Sequence, residues 1–563
     1  MAKKTFKEYK EMQKEKVAAR MHSGNDVRWY SKNPQLLKDS CNVPFSYMMG
    51  NKVTIPGNSG SSDPIFNKPL PGVMAFPVAP LPGNPQETNS PVNIAARAIY
   101  GYVRHANSGS KVYDIPDLML YLLGIDSLYM LFSYLKRIYG IVSYYSTKNR
   151  YTGRAMLTAM GVNYDSILQN LADFRQFLNT FALKIGALVV PKEMTYFMRH
   201  MWMMENVYRD ADHEKSQFYM YVPEYFYIYR ETGSPQGNYL ATTGWLGYHR
   251  LKASTDVGLK DFIDLMEMAN EMIDAMMGSE DCGIMSGDIQ KAYGDANVWK
   301  LSATVEDYQC VPTFNQEVLT QFHNVETLTN GTDGSSYTFN TFLPTQTAVH
   351  SIRNKVPVTF GQVTQSIQGI GLIPTLVLNN VYSETVPCSF EGPNQVHLLD
   401  VPYTDATPEN VMVASRCQFN KYSTRNNNEW TRVLTDAGSE VITRLEIWMY
   451  DWSSGTPELR VRFTGTDWLY AIDRSGSFTN YAPDAVMDLT IMERWDYHPI
   501  IKFDTIHLDT STTPSTFTGA ELSVFSGDLD NYTIISADVL RRINEVALLS
   551  QFDTPQAGVW KLQ

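Results

Sequence analysis

Charge is scarce in this chain of 563 residues. Asp, Glu, Lys and Arg make up 19% of it, below the roughly 25% usual for soluble domains. Cysteine is scarcer still: Cys41, Cys282, Cys310, Cys388 and Cys417 are the five present. They are too few and too dispersed for a disulfide scaffold or a close-spaced zinc cluster, and an odd number cannot pair completely within the chain. Reduced thiols and synthesis in a reducing compartment fit that count. The N-terminus lacks the apolar core of a signal peptide, and no uncharged run approaches the roughly 20 residues that span a bilayer, so no membrane anchor is expected. No repeat of 20 to 50 residues emerges, which argues against a solenoid.

What is present is apolar: 44% of residues are hydrophobic, 26 of them Met. That composition argues against disorder, and the length predicts two or three packed units. Methionine at this level reads as adaptable core packing. With little charge to cover the exterior, uncharged polar surface and subunit contacts must do so, which points to oligomerisation. The net charge of −12 is unevenly divided: residues 1–40 carry ten Lys or Arg and five Asp or Glu, a balance of +5 that leaves −17 for the remainder.

The basic residues of that first segment are Lys3, Lys4, Lys7, Lys10, Lys14, Lys16, Arg20, Arg28, Lys32 and Lys38. Their long side chains favour helix and can neutralise phosphates without reading base sequence. A solvated arm or a partner-docking helix is the plainer alternative. Residues 50–91 hold nine prolines among five glycines, which rules out a regular helix and predicts an extended connector, either an intersubunit strap or an intramolecular surface crossing, with Val73, Phe76, Val78 and Leu81 available for burial against the body or a neighbour. From residue 92 the period becomes helical. The apolar segment from Leu118, interrupted by Asp126, Ser127, Lys136 and Arg137, reads as a buried helix pair. Further helices are expected over Asp165–Leu183 and Lys192–Tyr208, with Pro191 as the break between them. In Leu259–Gly278 the apolar positions Leu259, Phe262, Ile263, Met266, Ile273, Met276 and Met277 recur at helical spacing, Asp256 precedes the start, and Gly278 is placed for a left-handed end.

After residue 330 the strings TVPCSFEG, NQVHLLDV, SEVITRLEIWMY and ELRVRFTG predict strands. Residues 537–550 return to helix, with Val539, Leu540, Ile543, Val546 and Leu549 facing the body or another subunit. Chemistry is sparse. His200 and His213 flank Glu205, with Asp210 and Asp212 nearby, but thirteen residues between the histidines make no metalloprotease helix. The glycines from Gly283 to Gly294 form no phosphate loop; a turn leading into a short helix, capped by Ser286 or Asp288, is simpler. A strand carrying Asp504, His507 and Asp509 makes neither a metal site nor an activated water by spacing alone. No catalytic, cofactor or metal residue is assigned.

The basic arm, the proline-containing crossing and MSGDIQKAYGDANVWKL followed by CVPTFNQEVLTQFHNVETLTNGT resemble picobirnavirus capsid proteins, and the helical centre is more distantly similar to partitivirus capsids. The resemblance implies an α+β chain with a predominantly α-helical shell domain, a β-rich protruding region and an extended N-terminal arm. It divides the chain into 1–49 as arm, 50–91 as connector or strap, 92–330 as helical shell module, 331–510 as β-rich protruding module and 511–563 as a mixed segment packing on the body. It further implies symmetric dimers closing into an icosahedral shell around double-stranded RNA, contacted nonspecifically by the ten basic residues above. The places implied are the virion and, during synthesis and assembly, the host cytoplasm. Alternatives are an RNA-associated scaffold protein without closed assembly and, with less support, a hydrolase.

Overall fold

The computed structural model describes Lys10, Lys14, residues 27–44 and, with short gaps, 52–242 and 259–326. Beyond these it describes 363–368, 373–378, 383–387, 396–451 with short gaps, 458–464, 496–509, 516–526 and, with one gap, 528–555. The chain forms two compact units, Met1–Met48 and Met49–Gln563. In the first, a 3-10 turn at Val27–Trp29 precedes helix α1 (Pro34–Cys41). Asn33 starts α1 by accepting the Gln35 N–H at 2.9 Å, and Pro34 occupies a position whose N–H would have no helical partner. No residue of α1 is buried.

The second unit opens with the antiparallel pair β1 (Lys52–Ile55) and β2 (Phe66–Pro69), then β3 (Pro71–Pro80). Helices follow: α2 (Pro91–Ala106), α3 (Ile115–Tyr145), α4 (Arg150–Ala159), α5 (Tyr164–Gln169), α6 (Leu171–Ile185) and α7 (Thr195–Glu205). Strands β4 (Tyr208–Arg209), β5 (Phe218–Pro223), β6 (Tyr227–Arg230) and β7 (Tyr239–Thr242) precede α8 (Phe262–Met277), α9 (Glu280–Tyr293) and α10 (Gln316–His323). The distal half supplies β8 (Val363–Gln368), β9 (Ile373–Leu378), β10 (Ser383–Pro387), β11 (Val396–Val401), α11 (Pro408–Ala414), β12 (Asn420–Asn426) and β13 (Glu429–Asp436). It ends with β14 (Glu440–Ile442), β15 (Glu446–Asp451), β16 (Glu458–Thr464), β17 (Ile501–Asp509), β18 (Thr516–Ser526), β19 (Asn531–Ser536) and α12 (Ala537–Gln551).

The core is organised around α3. It is apolar on every side, as only a helix surrounded by protein can be, and nearly all of its 31 residues are buried. Its length and composition would also allow it to cross a membrane; here it is wrapped by α2, α6, α7 and β6. The predicted helix pair is therefore one continuous helix. The polar residues that suggested a break have tertiary partners: Asp126 meets His200, and the Ser127 hydroxyl accepts the Tyr227 N–H at 3.0 Å. Gly140 is required by close approach, since a Cβ there would lie 2.6 Å from the Cys310 backbone nitrogen.

Strand β3 lies inside a six-stranded sheet. It pairs in parallel with β5 on one side and, along its other edge, antiparallel with β15 over Pro71–Ala75 and with β14 over Val78–Pro80. Buried on both faces, it reads as a continuous apolar run rather than an alternating one. A proline inside such a strand removes a ladder donor. Pro77 falls at the gap between β15 and β14, where its carbonyl accepts the Thr443 N–H at 2.9 Å and no donor is needed in return. The extended conformation expected of this stretch is present, but Pro71–Pro80 runs through the interior instead of over the surface. Distal strands likewise complete the second sheet, ordered β6, β7, β8, β9.

Local endings also differ from expectation. Helix α8 starts at Asp261, whose carboxylate accepts the Ile263 and Asp264 N–H groups, and Gly278 ends it in right-handed geometry at φ −75°. Asp256 lies outside the described residues. The buried face of α8 is Leu265, Met268, Ala269, Met272, Ile273 and Met276, leaving Ile263 and Met277 exposed. Ser279 caps α9, so Ser286 and Asp288 sit within that helix, and Gly294, at φ +80°, is the glycine that uses left-handed freedom.

Candidate assembly and nucleic-acid surfaces

The described cations of the basic arm are exposed. Arg28, Lys32 and Lys38 are exposed around the 3-10 turn and α1. Lys10 and Lys14, both helical in backbone and exposed, are one turn apart and so share a face. Lys3, Lys4, Lys7, Lys16 and Arg20 lie outside the described residues. Trp29, Tyr30, Leu36, Leu37 and Val43 in the same unit are also exposed. Sequence reasoning singled out the cations and missed this apolar set; all five lie within five residues of Arg28, Lys32 or Lys38, and a stripe too narrow to form a core was the available signal.

The larger unit presents apolar side chains in two further places. Between α6 and α8 a cleft of about 360 Å³ is lined by Phe177, Phe181, Phe262 and Met266, with Lys184 and Asn270 at its rim; Leu183 and Ile263 stand exposed on the same two helices. At the C-terminal end, Leu540, Asn544 and Leu548 make the buried stripe of α12, while Val539 and Val546 are exposed beside Tyr532 and Ile534 of β19. The expected apolar face of α12 thus splits, because buried Asn544 accepts from Arg416 and donates to the Gln418 carbonyl.

Residues that suggested chemistry are held apart. His200 contacts Asp126 and the Ser439 carbonyl; Glu205 contacts Lys136; Asp210 accepts the Gln217 N–H; His213 is exposed. Asp212 lies outside the described residues. Burial, reinforced by the charge of Asp496, pushes the Asp210 carboxyl up to about 7. Burial also pushes Cys282 and Cys310 up to about 12 and Cys417 to about 11, so these are protonated thiols, not nucleophiles. Among the described residues no group of three or more His, Cys, Asp or Glu could hold a metal ion. Asp504, His507 and Asp509 lie on β17, which is bulged at Phe503/Asp504 and His507/Leu508.

The polar side chains instead join segments distant in sequence. Arg199 donates to Glu440 through Nε at 3.0 Å and Nη2 at 2.6 Å and reaches Gln321 at 3.1 Å. Burial would raise the Glu440 carboxyl, but Arg199 and Arg416 outweigh it and hold it below its ordinary value. Asn324 receives the Asp400 N–H at 2.8 Å and returns a bond to its carbonyl at 2.7 Å. His397 meets Glu326 at 2.8 Å.

A rigid interior, clamped polar groups and exposed apolar and basic surfaces define a structural protein that acts by contact. The chain belongs to the picobirnavirus capsid protein family, whose model, described as "Picobirnavirus, Capsid protein", matches residues 29–352. It is 36% identical over 314 residues to the capsid protein precursor of human picobirnavirus, an alignment that covers 55% of this chain and spans about half (55%) of that relative's length. Its fold matches the crystallographic structure of the picobirnavirus capsid with a TM-score of 0.71 at 20% identity, over 94% of this chain and 98% of that one. The mixed α+β architecture is the shared feature.

Proposed function

We propose that this chain is a structural capsid protein that self-assembles, through symmetric dimers, into a closed icosahedral shell around a double-stranded RNA genome. Membership of the capsid family carries this reading. Two features support it: apolar side chains are exposed on α1, along the α6–α8 cleft and at the β19–α12 end, and the basic arm is a compact unit of its own. In this reading the helical residues 92–330 build the shell wall together with β14 and β15, which the β3 sheet holds in the core, the rest of the β-rich residues 331–510 protrude, and the arm faces inward. Lys3, Lys4, Lys7, Lys10, Lys14, Lys16, Arg20, Arg28, Lys32 and Lys38 neutralise phosphates without reading sequence. The chain works in the virion after synthesis and assembly in the host cytoplasm.

Electron microscopy of the purified chain tests the assembly reading: uniform closed particles are expected. Discrete small complexes under assembly-permissive conditions would favour an RNA-associated scaffold protein instead. The arm is tested separately by comparing RNA binding of the full chain with a deletion of residues 2–40. Affinity and its salt dependence should both fall, because each lost phosphate contact removes released counterions. Unchanged salt dependence rejects the arm as the RNA contact.

A further inference from the structure

Two buried histidines have both ring nitrogens aimed at acceptors. His200 on α7 places Nδ1 2.5 Å from Asp126 Oδ2 and Nε2 3.1 Å from the Ser439 carbonyl oxygen. His323, the last residue of α10, places Nδ1 2.8 Å from the His498 carbonyl oxygen. Its Nε2 lies 3.1 Å from the Asp528 carbonyl oxygen and 3.3 Å from Asp400 Oδ2. Carbonyl oxygens only accept, and a neutral imidazole carries a single N–H. A neutral ring beside an ionised carboxylate therefore sets a nitrogen lone pair against an oxygen lone pair in a buried site. The imidazolium satisfies every contact. At His200 a proton resting on Asp126 does so equally well, with the same number of protons bound.

Both rings join a helix of the first 326 residues to segments from beyond residue 395. The charged and titratable groups around His200 are Asp126 on α3, Glu440 on β14 with its partners Arg199 and Arg416, and Tyr196 and Tyr227. Around His323 they are Asp400 on β11, His498, and Asp528 and Asp530, the last donating its N–H to Asp400 at 3.0 Å. Burial alone would pull the His200 ring down; the charge and hydrogen bond of Asp126 outweigh it, and the pair keeps its proton above the ordinary histidine range. Their neighbours behave differently. His498 donates through Nδ1 to the Pro499 carbonyl at 2.7 Å, and burial keeps it neutral. His397 bonds Glu326 through Nδ1, with no partner at Nε2.

We propose that the His200–Asp126 pair is a proton-dependent clip that fastens the distal half of the chain to its helical half, so that alkalinisation, not acidification, loosens the seam. Losing its proton turns the Ser439 carbonyl or the Asp126 carboxylate into a repelled neighbour, beside the place where β14 joins β3. This device is internal to one chain and does not depend on shell formation.

The sign follows from linkage: a group that holds its proton more tightly when folded stabilises below its unfolded pKa and loses that stabilisation as pH rises through the folded one. Unfolding of the unassembled full chain above neutral pH should therefore release up to one proton at this clip, read as a rise of up to tenfold in the unfolding constant per pH unit. Asp210→Asn supplies the background, since that carboxyl also titrates near 7. Hydrogen exchange between pH 7 and 9, corrected for intrinsic rate, should show opening that quickens with pH at 438–443 more than along α3 or at 396–401. Asp126→Asn should remove that extra slope at 438–443. A flat wild-type unfolding constant across this window, or one common slope in seam and core, overturns the proposal even if the variant fails to fold.

Discussion

Helices α1 and α3 are opposite solutions to the same backbone problem. Both begin with a proline in the first turn and a side-chain cap or capping box. Helix α3 then buries nearly every side chain, whereas α1 buries none, with Leu36 and Leu37 each nearly half exposed. A helix of eight residues is too short to hold itself in water. The difference separates two kinds of stability: α3 is held by burial inside its own unit, and α1 has no buried face to hold it.

The largest expected effect strikes the side that holds itself. Phe322 stacks on Phe76 at 4.5 Å and packs on Tyr221 at 4.6 Å and Tyr219 at 5.7 Å, joining α10 to β3 and β5. Phe322→Ala should cost about 3–5 kcal/mol in urea unfolding. Next comes acid. His498 is buried with its pKa depressed to about 4, so the unfolded chain protonates first as pH falls below about 6.5. In an Asp210→Asn background, which removes the opposing contribution of that raised carboxyl, stability present above that pH should decline toward pH 4, by roughly 3 kcal/mol at most; a urea midpoint constant between pH 6.5 and 4.5 in that background contradicts it. Gly140→Ala should remove about 1–3 kcal/mol, because the new methyl group meets backbone at 2.6 Å.

The smallest effect on the body is the one that sharpens the contrast. Leu36→Ala with Leu37→Ala should move the urea midpoint by less than about 0.5 kcal/mol, as surface changes do, while lowering the yield of closed particles in electron micrographs. Equal yield would place the assembly contacts elsewhere on the body.

Much of the distal half was legible from local pattern. Three of the four β-favourable strings coincide with β11, the pair β14 and β15, and β16, while TVPCSFEG overlaps β10 at Thr385–Pro387 and otherwise lies outside the described residues. Helix α12 and the break at Pro191 were likewise visible. The failures share one physical origin, tertiary satisfaction of groups that look like punctuation. Asp126 and Ser127 resemble a loop until His200 and Tyr227 are beside them, and Pro77 resembles a surface residue until the gap between two partner strands is seen. Capping was misplaced because Asp256, Ser286 and Asp288 are as competent chemically as Asp261 and Ser279. The basic arm was readable as charge; its exposed apolar companions were not, since burial is decided by neighbours. The buried histidine contacts span 71 to 239 residues, beyond any local pattern.

The position of β3 also imposes a timetable on synthesis. Pro77 and Thr443 are 366 residues apart in sequence. At roughly 5–20 residues per second, a ribosome needs about 20–70 s between them. Throughout that interval one edge of an apolar strand waits without its native partners, the condition in which strands pair with the wrong chain. On a polysome, neighbouring nascent copies present the same waiting edge at the same time, so crowded translation should favour cross-chain pairing over the native sheet.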